Sequence, residues 1–411
     1  MEKADFYREA DRDQIGPMAG TRVLEVTTTW AGPMCGCMLG DLGADVIKVE
    51  LAEGEVARRL PPYLDGTDPP ISFAHATVNR NKRSLRLDLR TDGGRRVALR
   101  LAERSDVLVE NFRAGALAGW GLGYEHVRAV KPDIVYVSIT GFGQFGPNHD
   151  RVGYDPLAQA ASGFISLNGE RDGPPVKAPT FLADDLAGLH GAVCALAALH
   201  HRDRTGEGQH IDVALLDAML FQSDGFLTLG ALGTRYPRMG NEYIFAAPAR
   251  IFPCKDGHVY LGVLLDSHWK ALAEVMGRPD LAEDPEYAIT TNRVGHRDEV
   301  NEIVAVWCAD RPVAQVIDEI GRAGLPIAPV QTYEQAASDP HVQARDMLQP
   351  TMQPDGTTIP ITGPAGKFSR TPTRVRSAAP DTGQHDEEFL AELGLYGEEI
   401  AALGAAGAFG T

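Results

Sequence analysis

The chain has 411 residues, of which 44% are hydrophobic and 23% charged, a balance typical of a folded protein rather than a disordered one. Its formal net charge of −17 argues against binding to nucleic acid or to anionic membranes, because both require a basic field. The length exceeds that of one ordinary domain, so we expect a large domain and a smaller one.

The five cysteines are scattered and odd in number, and none forms a C-x-x-C pair. This favours neither a disulfide framework nor a zinc site, so we expect no metal and a cytoplasmic location. Residues 1–20 lack the apolar core of a signal peptide, and no later stretch has the roughly 18 apolar residues of a membrane span. We therefore expect no targeting segment and no membrane partner.

The N-terminal half alternates between short β-branched runs and helical patterns, which predicts α/β architecture with a Rossmann-like parallel sheet. In chain order, the predicted strands are 22–27, 44–50, 106–111, 133–140 and 210–217, and the predicted helices between them are 34–43, 93–105, 124–132 and 189–206. Ligands bind such sheets at the carboxyl ends of the strands.

The pattern changes after about residue 240. The stretch 248–263 predicts a β-hairpin turned at a Lys-Asp-Gly tripeptide, and amphipathic helices follow over 268–324. We place a smaller α+β domain at 228–325. It interrupts the large domain, whose N-terminal part is 1–227 and to which the segment 326–411 returns.

A G-x-G-x-x-G motif occurs at 141–146, directly after a predicted strand. A dinucleotide site requires a helix at the third glycine, whose amides face the pyrophosphate. Here Pro147 follows and no helical period develops, so we expect the glycines to form tight turns near another ligand. The motifs of phosphate-binding loops, serine hydrolases and zinc proteases are absent from the sequence.

Asp184 and Asp185 lie just before a predicted Ala/Leu-rich helix that begins near Leu186, in the pattern D-x-x-x-G ending at Gly188. By pattern alone, these acids would cap the helix, because a carboxylate accepts free amide hydrogens at the positive end of the helix dipole.

Several blocks together resemble the class III CoA-transferase family, the formyl-CoA transferase-like or CaiB/BaiF proteins. Their order and spacing hold over about half the chain: 31–50, 79–91, 110–123, 138–147 and 154–220. The resemblance implies an enzyme that moves coenzyme A from an acyl-CoA donor to a carboxylic acid acceptor, without a permanently bound cofactor. It further implies a homodimer of two interlocked chains with active sites at the interface.

The resemblance assigns the catalytic aspartate, four residues before the glycine of this helix, to Asp184 and leaves Asp185 as the cap. A carboxylate can attack a thioester and pass through a mixed anhydride to an aspartyl-CoA thioester. Backbone amides near Ala31, Gly32 or the glycine loop are the expected donors to the oxyanion.

The resembling blocks also contain residues suited to CoA, whose phosphates need Arg, Lys or helix N-termini. The expected CoA-binding residues are Lys82, Leu87, Arg90, Asn111, Phe112 and Arg113. For the basic residues, simple surface solubility is the alternative.

The expected substrate pocket contains Trp30, Ala31, Gly32, Tyr154 and Asp155. Trp30 stands where formyl-CoA transferases have Gln, and residues 243–245 stand where they have glycines. We expect an acid bulkier or more apolar than formate or oxalate, with a core position for the large Trp30 ring as the alternative.

Racemases of the same family use a His and an Asp as paired acid and base on 2-methylacyl-CoA esters. Their His occupies the position of Tyr154 here, and a phenol with a pKa near 10 is a poor two-way proton carrier at neutral pH. CoA transfer is therefore the prediction. Racemisation and non-catalytic binding of CoA or a dinucleotide remain the alternatives.

Overall fold

The structure is a computed structural model that describes residues 1–64 and 70–410. The strands are β1 Arg22–Val26, β2 Asp45–Glu50, β3 Tyr63–Leu64, β4 Ile71–Ser72, β5 Lys82–Arg86, β6 Val107–Glu110, β7 Val135–Thr140, β8 Gln209–Ala214, β9 Ala249–Cys254, β10 Gly257–Gly262, β11 Ile327–Pro329, β12 Leu348–Met352 and β13 Thr358–Thr362.

The helices connect and cover these strands, and a short 3₁₀ helix spans Val56–Arg59. The α-helices are α1 Lys3–Phe6, α2 Ala31–Asp41, α3 Phe73–Asn79, α4 Asp92–Ala102, α5 Ala116–Gly119, α6 Tyr124–Val130, α7 Asp155–Ala161, α8 Phe164–Leu167, α9 Leu182–Thr205, α10 Leu215–Phe221, α11 Phe226–Ala231, α12 Asp266–Val275, α13 Asp280–Glu283, α14 Thr290–Gly295, α15 Arg297–Ala309, α16 Val313–Arg322, α17 Tyr333–Ser338, α18 Pro340–Ala344, α19 Asp386–Glu392 and α20 Gly397–Ala405.

Six strands form one parallel sheet in the order β5-β2-β1-β6-β7-β8. This confirms the predicted α/β fold, and the five predicted strands are present within one or two residues at most ends. The sixth strand, β5, was missed because its sequence KRSLR reads as a polar segment. The Lys82 and Ser84 side chains are nevertheless buried in this strand, where acidic side chains pair with them.

One face of the sheet is covered by α2 and α9, which pack against each other and whose small residues permit close approach. A Cβ atom on Gly188 would lie 2.9 Å from the Ala31 carbonyl oxygen. By length and composition, α9 could cross a membrane, contrary to the expectation from sequence. Here it packs on β7 and α2, as the core helix of a globular protein does.

The other face is covered by α4, α6, α19 and α20. Val97 and Leu101 of α4 share one hydrophobic cluster with Phe389 and Leu390 of α19. Helices α19 and α20 are the last two elements of the chain. Residues near the end of the chain therefore complete the core of the parallel sheet.

By contacts between residues, the chain divides into two units. The larger contains 1–164, 177–233 and 341–411, and the smaller contains 165–176 and 234–340. The domain boundaries given from the sequence stay a prediction, because a unit defined by contacts is not necessarily one that folds independently.

The smaller unit contains the antiparallel sheet β11-β10-β9. Cys254 pairs with Gly257, so two residues form the turn of the β9–β10 hairpin, as the Lys-Asp-Gly tripeptide predicts. Helices α12 to α16 supply a core around the fully buried Trp269. This unit is the α+β part of the predicted fold.

Candidate active site

A cavity of about 240 Å³ opens at the ends of β6 and β7, and we call it the Asp184 cavity. Its walls come from the segments after β1 and β6, the loop after β7 and the first turn of α9. The predicted site residues that line it are Trp30, Ala31, Asn111, Phe112, Arg113, Tyr154 and Asp184. The carboxyl ends of parallel strands thus bring together residues that are distant in sequence.

A second cavity of about 340 Å³ lies beside it, and we call it the Arg90 cavity. Three predicted CoA-binding residues line it: Leu87, Arg90 and Phe112. Its walls are mainly apolar, and the rings of Phe112 and Trp120 pack edge to face with centroids 5.1 Å apart. Thr28 and Phe112 line both cavities, so the two adjoin there.

Asp184 lies in the first turn of α9, because the helix begins at Leu182 rather than near Leu186 as the sequence suggests. Burial, and then the carboxylates of Asp155 and Asp185, raise the pKa of the Asp184 carboxyl to about 7. These influences act in the same direction. A carboxyl that gains and loses its proton near neutral pH is typical of reactive sites.

Asp155, rather than the predicted Asp185, binds the amides at the start of α9. Its Oδ1 accepts a hydrogen bond of 2.7 Å from the Ala183 amide, and its Oδ2 accepts one of 2.7 Å from Gln159 Nε2. The side chain is only 4% exposed. Asp155 therefore holds the helix start from the neighbouring α7 and places a negative charge near Asp184.

Asp185 instead accepts a hydrogen bond from the indole of Trp30, with Nε1 and Oδ1 2.6 Å apart. Burial raises the pKa of Asp185, while this hydrogen bond lowers it. The Trp30 ring also packs against Phe181 with centroids 4.7 Å apart. Trp30 is only partly buried and lines the Asp184 cavity, so it is a wall of the site rather than a core residue.

Asn111 fixes the backbone between the two cavities. Its Oδ1 accepts from the Thr28 amide and its Nδ2 donates to the Thr28 carbonyl, each at 2.8 Å. Gly32 packs behind this contact, where a Cβ atom would lie 2.6 Å from Thr27 Cγ2 and 2.8 Å from Asn111 Cγ. Gly32 therefore permits close packing but does not line either cavity.

Glu55, which the sequence analysis missed, holds the next residue of the same segment. Its Oε2 accepts from the Thr29 amide at 2.9 Å, and Thr29 has a φ of 67°, which is unusual for a β-branched residue. Burial alone would raise the pKa of Glu55, but Lys48 and His75 hold it far below its usual range. No local motif marks Glu55, because its partners are distant in sequence.

Lys82 does not lie in either cavity, contrary to the expectation that it binds CoA. Its side chain is fully buried, with Nζ 2.6 Å from Glu25 Oε2 and donating to the Pro33 carbonyl at 2.8 Å. A cation already enclosed by protein acceptors is not available to phosphates in solvent. Lys82 therefore stabilises the start of α2 through its hydrogen bond to the Pro33 carbonyl.

Arg59, His149 and Arg151 are further cavity residues that the sequence did not indicate. Arg59 lines the Arg90 cavity, and the other two line the Asp184 cavity from the loop after β7. The segment 243–245 belongs to the smaller unit, where the Tyr243 and Phe245 rings are 5.6 Å apart. In the described ranges, no group of three His, Cys, Asp or Glu residues is placed to hold a metal ion.

The geometry defines an α/β protein with a partly buried aspartate of raised pKa in a cavity at the ends of its strands, an arrangement suited to acyl transfer. Residues 18–386 match the model of CoA-transferase family III, and the chain belongs to this family. It is accordingly a transferase that uses CoA thioesters as substrates.

Proteins of known name support this assignment along nearly the whole chain. A succinate–glutarate CoA-transferase of Agrobacterium fabrum is 39% identical over 92% of this chain and 96% of its own length. A succinyl-CoA:mesaconate CoA-transferase of Haloarcula hispanica is 38% identical over 93% and 97%. The crystal structure of a CaiB/BaiF family protein from Brucella suis has a TM-score of 0.83 and 34% identity, covering 92% of this chain and all of that one.

Proposed function

We propose that this protein transfers CoA from an acyl-CoA to a carboxylic acid through covalent intermediates on Asp184. The observation that carries the proposal is a carboxyl with a pKa of about 7 inside a cavity that adjoins a second, mainly apolar one. At neutral pH, a substantial fraction of Asp184 is ionised, and a partly desolvated carboxylate is a competent nucleophile towards a thioester.

In the first half of the reaction, an Asp184 oxygen attacks the thioester carbonyl of the donor. The C–S bond breaks, the CoA thiolate leaves, and an acyl-aspartyl anhydride forms. The thiolate then attacks the Asp184 carbonyl carbon of the anhydride. The donor acid leaves as a carboxylate, and Asp184 becomes an aspartyl-CoA thioester.

The second half repeats these steps with the acceptor acid. Its carboxylate attacks the aspartyl-CoA carbonyl and releases the thiolate, which then attacks the acceptor carbonyl of the new anhydride. The product acyl-CoA leaves and Asp184 is regenerated as a carboxylate. Every group comes from the protein or from its substrates, so the proposal requires no further cofactor.

The start of α2 supplies the amides for the oxyanion that forms in each attack. Ala31 and Gly32 occupy the first helical turn, where amides have no acceptor within the helix. Ala31 lines the Asp184 cavity. The Thr28 and Thr29 amides are already bound to Asn111 and Glu55, which leaves the Ala31 amide as the donor we assign.

CoA lies across both cavities in this proposal. The pantetheine arm passes at Thr28 and Phe112, which both cavities share. Arg59 and Arg90 then face the phosphates from the Arg90 cavity. Arg90 now forms an exposed ion pair with Asp88 at 2.8 Å, a contact that costs little to exchange for a phosphate.

The named relatives act on succinyl, glutaryl and mesaconyl groups, so succinyl-CoA is the donor to try first. This agrees with the expectation of an acid bulkier than formate or oxalate. The expected apolar character does not extend to these relatives' acids, which carry two carboxyl groups.

A homodimer and a cytoplasmic location are parts of the same proposal. Exposed apolar side chains on and after α9 support a subunit contact: Leu189, Val193, Leu196, Phe221, Leu227 and Leu232. The scattered, unpaired cysteines support a reducing compartment.

Mass spectrometry of the intact protein with succinyl-CoA tests the intermediate. We expect a CoA adduct that hydroxylamine converts to a hydroxamate at Asp184. The adduct disappears in Asp184→Asn and persists in Asp203→Asn, a control at the exposed far end of the same helix. An adduct that persists in Asp184→Asn would remove this residue from the role. Exchange of the α-proton of a 2-methylacyl-CoA in heavy water without any acceptor acid would instead indicate racemisation.

A further inference from the structure

We infer that the Asp184 cavity selects acyl groups that carry a second carboxylate, and that Arg151 and Arg113 bind this distal carboxylate. The inference rests on the proposed function, because it assumes that the acyl carbon is placed beside Asp184. It adds the residues that recognise the second carboxylate.

Both arginines line the cavity that contains Asp184. Across residues 1–64 and 70–410, neither guanidinium has a carboxylate oxygen within 4.0 Å. Arg151 has only a 3.5 Å contact with Asn148 Oδ1 and a position 6.0 Å from the Phe142 ring centroid. In the other cavity, Arg90 is paired with Asp88, whereas Arg59 donates a hydrogen bond to the Glu53 carbonyl. Two arginines without acidic partners in a chain of charge −17 form a local site for an anion.

The anion bound there is not the nucleotide of CoA. Attack requires the thioester carbonyl to lie beside Asp184, and the uncharged pantetheine arm then separates the phosphates from this cavity. The charge that reaches these arginines is therefore on the acyl group.

The loop that carries Arg151 is fixed by the fold. Gly141 and Gly153 touch at its base, since a Cβ atom on Gly141 would lie 2.4 Å from the Gly153 Cα and one on Gly153 2.3 Å from the Gly141 Cα. Such a closed base is typical of a compact Ω-loop. This contact explains Gly141, and the φ of 89° at Gly143, in the region that favours glycine, explains the second glycine of the motif.

The first half of the loop is tied to the sheet as well. The Gly143 amide donates to Thr140 Oγ1 and the Gln144 amide to Asp212 Oδ2, each at 2.9 Å. Arg151 lies two residues before the base of the loop, at the rim of the cavity. Its position is thus set by backbone contacts rather than by an ion pair that substrate would have to displace.

The guanidinium group suits this role because its parallel N–H donors match the two oxygens of a carboxylate. The cavity already contains the carboxyl group of Asp184, with Asp155 and Asp185 nearby. A second substrate carboxylate entering without a cation would be repelled by these acids. The arginines offset the repulsion, and an acyl chain that ends in a methyl group gains nothing from them.

Exchange of an acyl-CoA with its own isotopically labelled acid tests this selectivity. Succinyl-CoA with succinate and butyryl-CoA with butyrate have acyl chains of the same length and differ only in the distal carboxylate. We expect the wild-type protein to exchange succinyl faster. Arg151→Gln should lower kcat/KM for succinyl about 10- to 100-fold, the loss of a charge-assisted hydrogen bond, and leave butyryl within about threefold.

Arg113→Gln should act in the same direction, and Arg151→Lys should restore part of the succinyl rate. Arg90→Gln is the matched control, because it weakens CoA binding and should lower both exchanges by the same factor. If Arg151→Gln also lowers both equally, or if the wild type exchanges butyryl as fast as succinyl, the inference is wrong. Absence of any exchange and of any adduct on wild-type Asp184 would be a failure of the proposed function instead.

Discussion

Two groups of buried or partly buried acids lie in the larger unit, and their surroundings give them opposite properties. Glu25, Glu50 and Glu55 belong to an ion cluster that contains Lys48, Lys82 and Arg58. Asp155, Asp184 and Asp185 form an acid group at the start of α9. The carboxyl groups of both sets are wholly or partly withdrawn from water. The two sets differ in whether cations lie beside these carboxyl groups.

In the ion cluster, burial alone would raise the pKa of Glu50, but two hydrogen bonds from Arg58 hold it at about 2. In the acid group, burial and like charges raise the pKa of Asp184 to about 7. The comparison teaches that burial alone does not decide the pKa of a carboxyl. The pKa rises towards neutrality where the fold supplies no cation in place of the lost water.

The largest effect on stability should come from removing a cation of the ion cluster. Lys48→Met removes the ammonium group that lies 3.0 Å from Glu25 Oε1. It also removes the ion pair of Lys48 with Glu55, the residue that binds the Thr29 amide at the cavity. Breaking a fully buried pair typically costs about 3–5 kcal/mol. Thermal unfolding should show a fall of several degrees.

Lys3→Met is the control for that measurement. Lys3 pairs with Asp346 at 2.6 Å, but both side chains are about half exposed, and such pairs contribute only about 0–1 kcal/mol. If the two variants unfold at the same temperature, the ion cluster does not stabilise the fold as its geometry implies.

Asp184→Asn should change the free energy of unfolding in the opposite direction and stabilise the protein above neutral pH. The raised pKa of Asp184 means that the folded state keeps this proton up to about pH 7, whereas the unfolded chain loses it near pH 4. The stabilisation that this proton gives the folded state is therefore fully present below about pH 4 and is lost as the pH rises towards 7. Asn remains neutral, so at pH 8 the variant should be more stable by about 1–2 kcal/mol, discounted for partial exposure.

The measurement is the difference in Tm between this variant and wild type at pH 5 and pH 8. It should be larger at pH 8 and shrink towards pH 5. A difference that is constant with pH would mean that Asp184 is ionised throughout, and that its environment does not resemble the one described here.

The sequence could predict the parallel sheet because its Val- and Ile-rich strands alternate with helical patterns. It could also predict a packed face on α9, because Ala and Gly recur along this helix. It could not predict β5, whose Lys82 is buried only because Glu25 of β1 faces it. The role of Asp185 was wrong for a related reason. The local sequence pattern predicts that a carboxylate next to the helix start caps it. Here the residue that does so, Asp155, comes from α7.

Family resemblance assigned Asp184 to catalysis and Asn111 and Phe112 to CoA binding, and in the structure all three line the same cavity. The resemblance could not indicate Arg151, which reaches the cavity from a loop, or Glu55, which binds a backbone amide. Neither position belongs to a periodic pattern of the sequence. These residues depend on contacts between segments that are distant in sequence.

The smallest effect concerns the pH dependence of activity. The proposed mechanism requires ionised Asp184, so it predicts that kcat/KM rises with pH through about 7, the pKa of this carboxyl. Asp185→Asn removes one of the two neighbouring charges that raise this pKa, and its effect is smaller than that of Asp155. The apparent pKa should therefore move to lower pH by less than about one unit, equivalent to ~1.4 kcal/mol or less.

Asn at 185 can still accept the hydrogen bond of the Trp30 indole, so the cavity wall should keep its position. Asp203→Asn changes the net charge equally at the exposed end of α9 and should leave the profile unchanged. A shift of the same size in both variants would show a general charge effect, whereas a shift in Asp185→Asn alone would show that the acid group itself sets the ionisation of Asp184. The expected shift is modest because burial raises the pKa of Asp184 more than either neighbouring carboxylate does, and the substitution leaves burial intact.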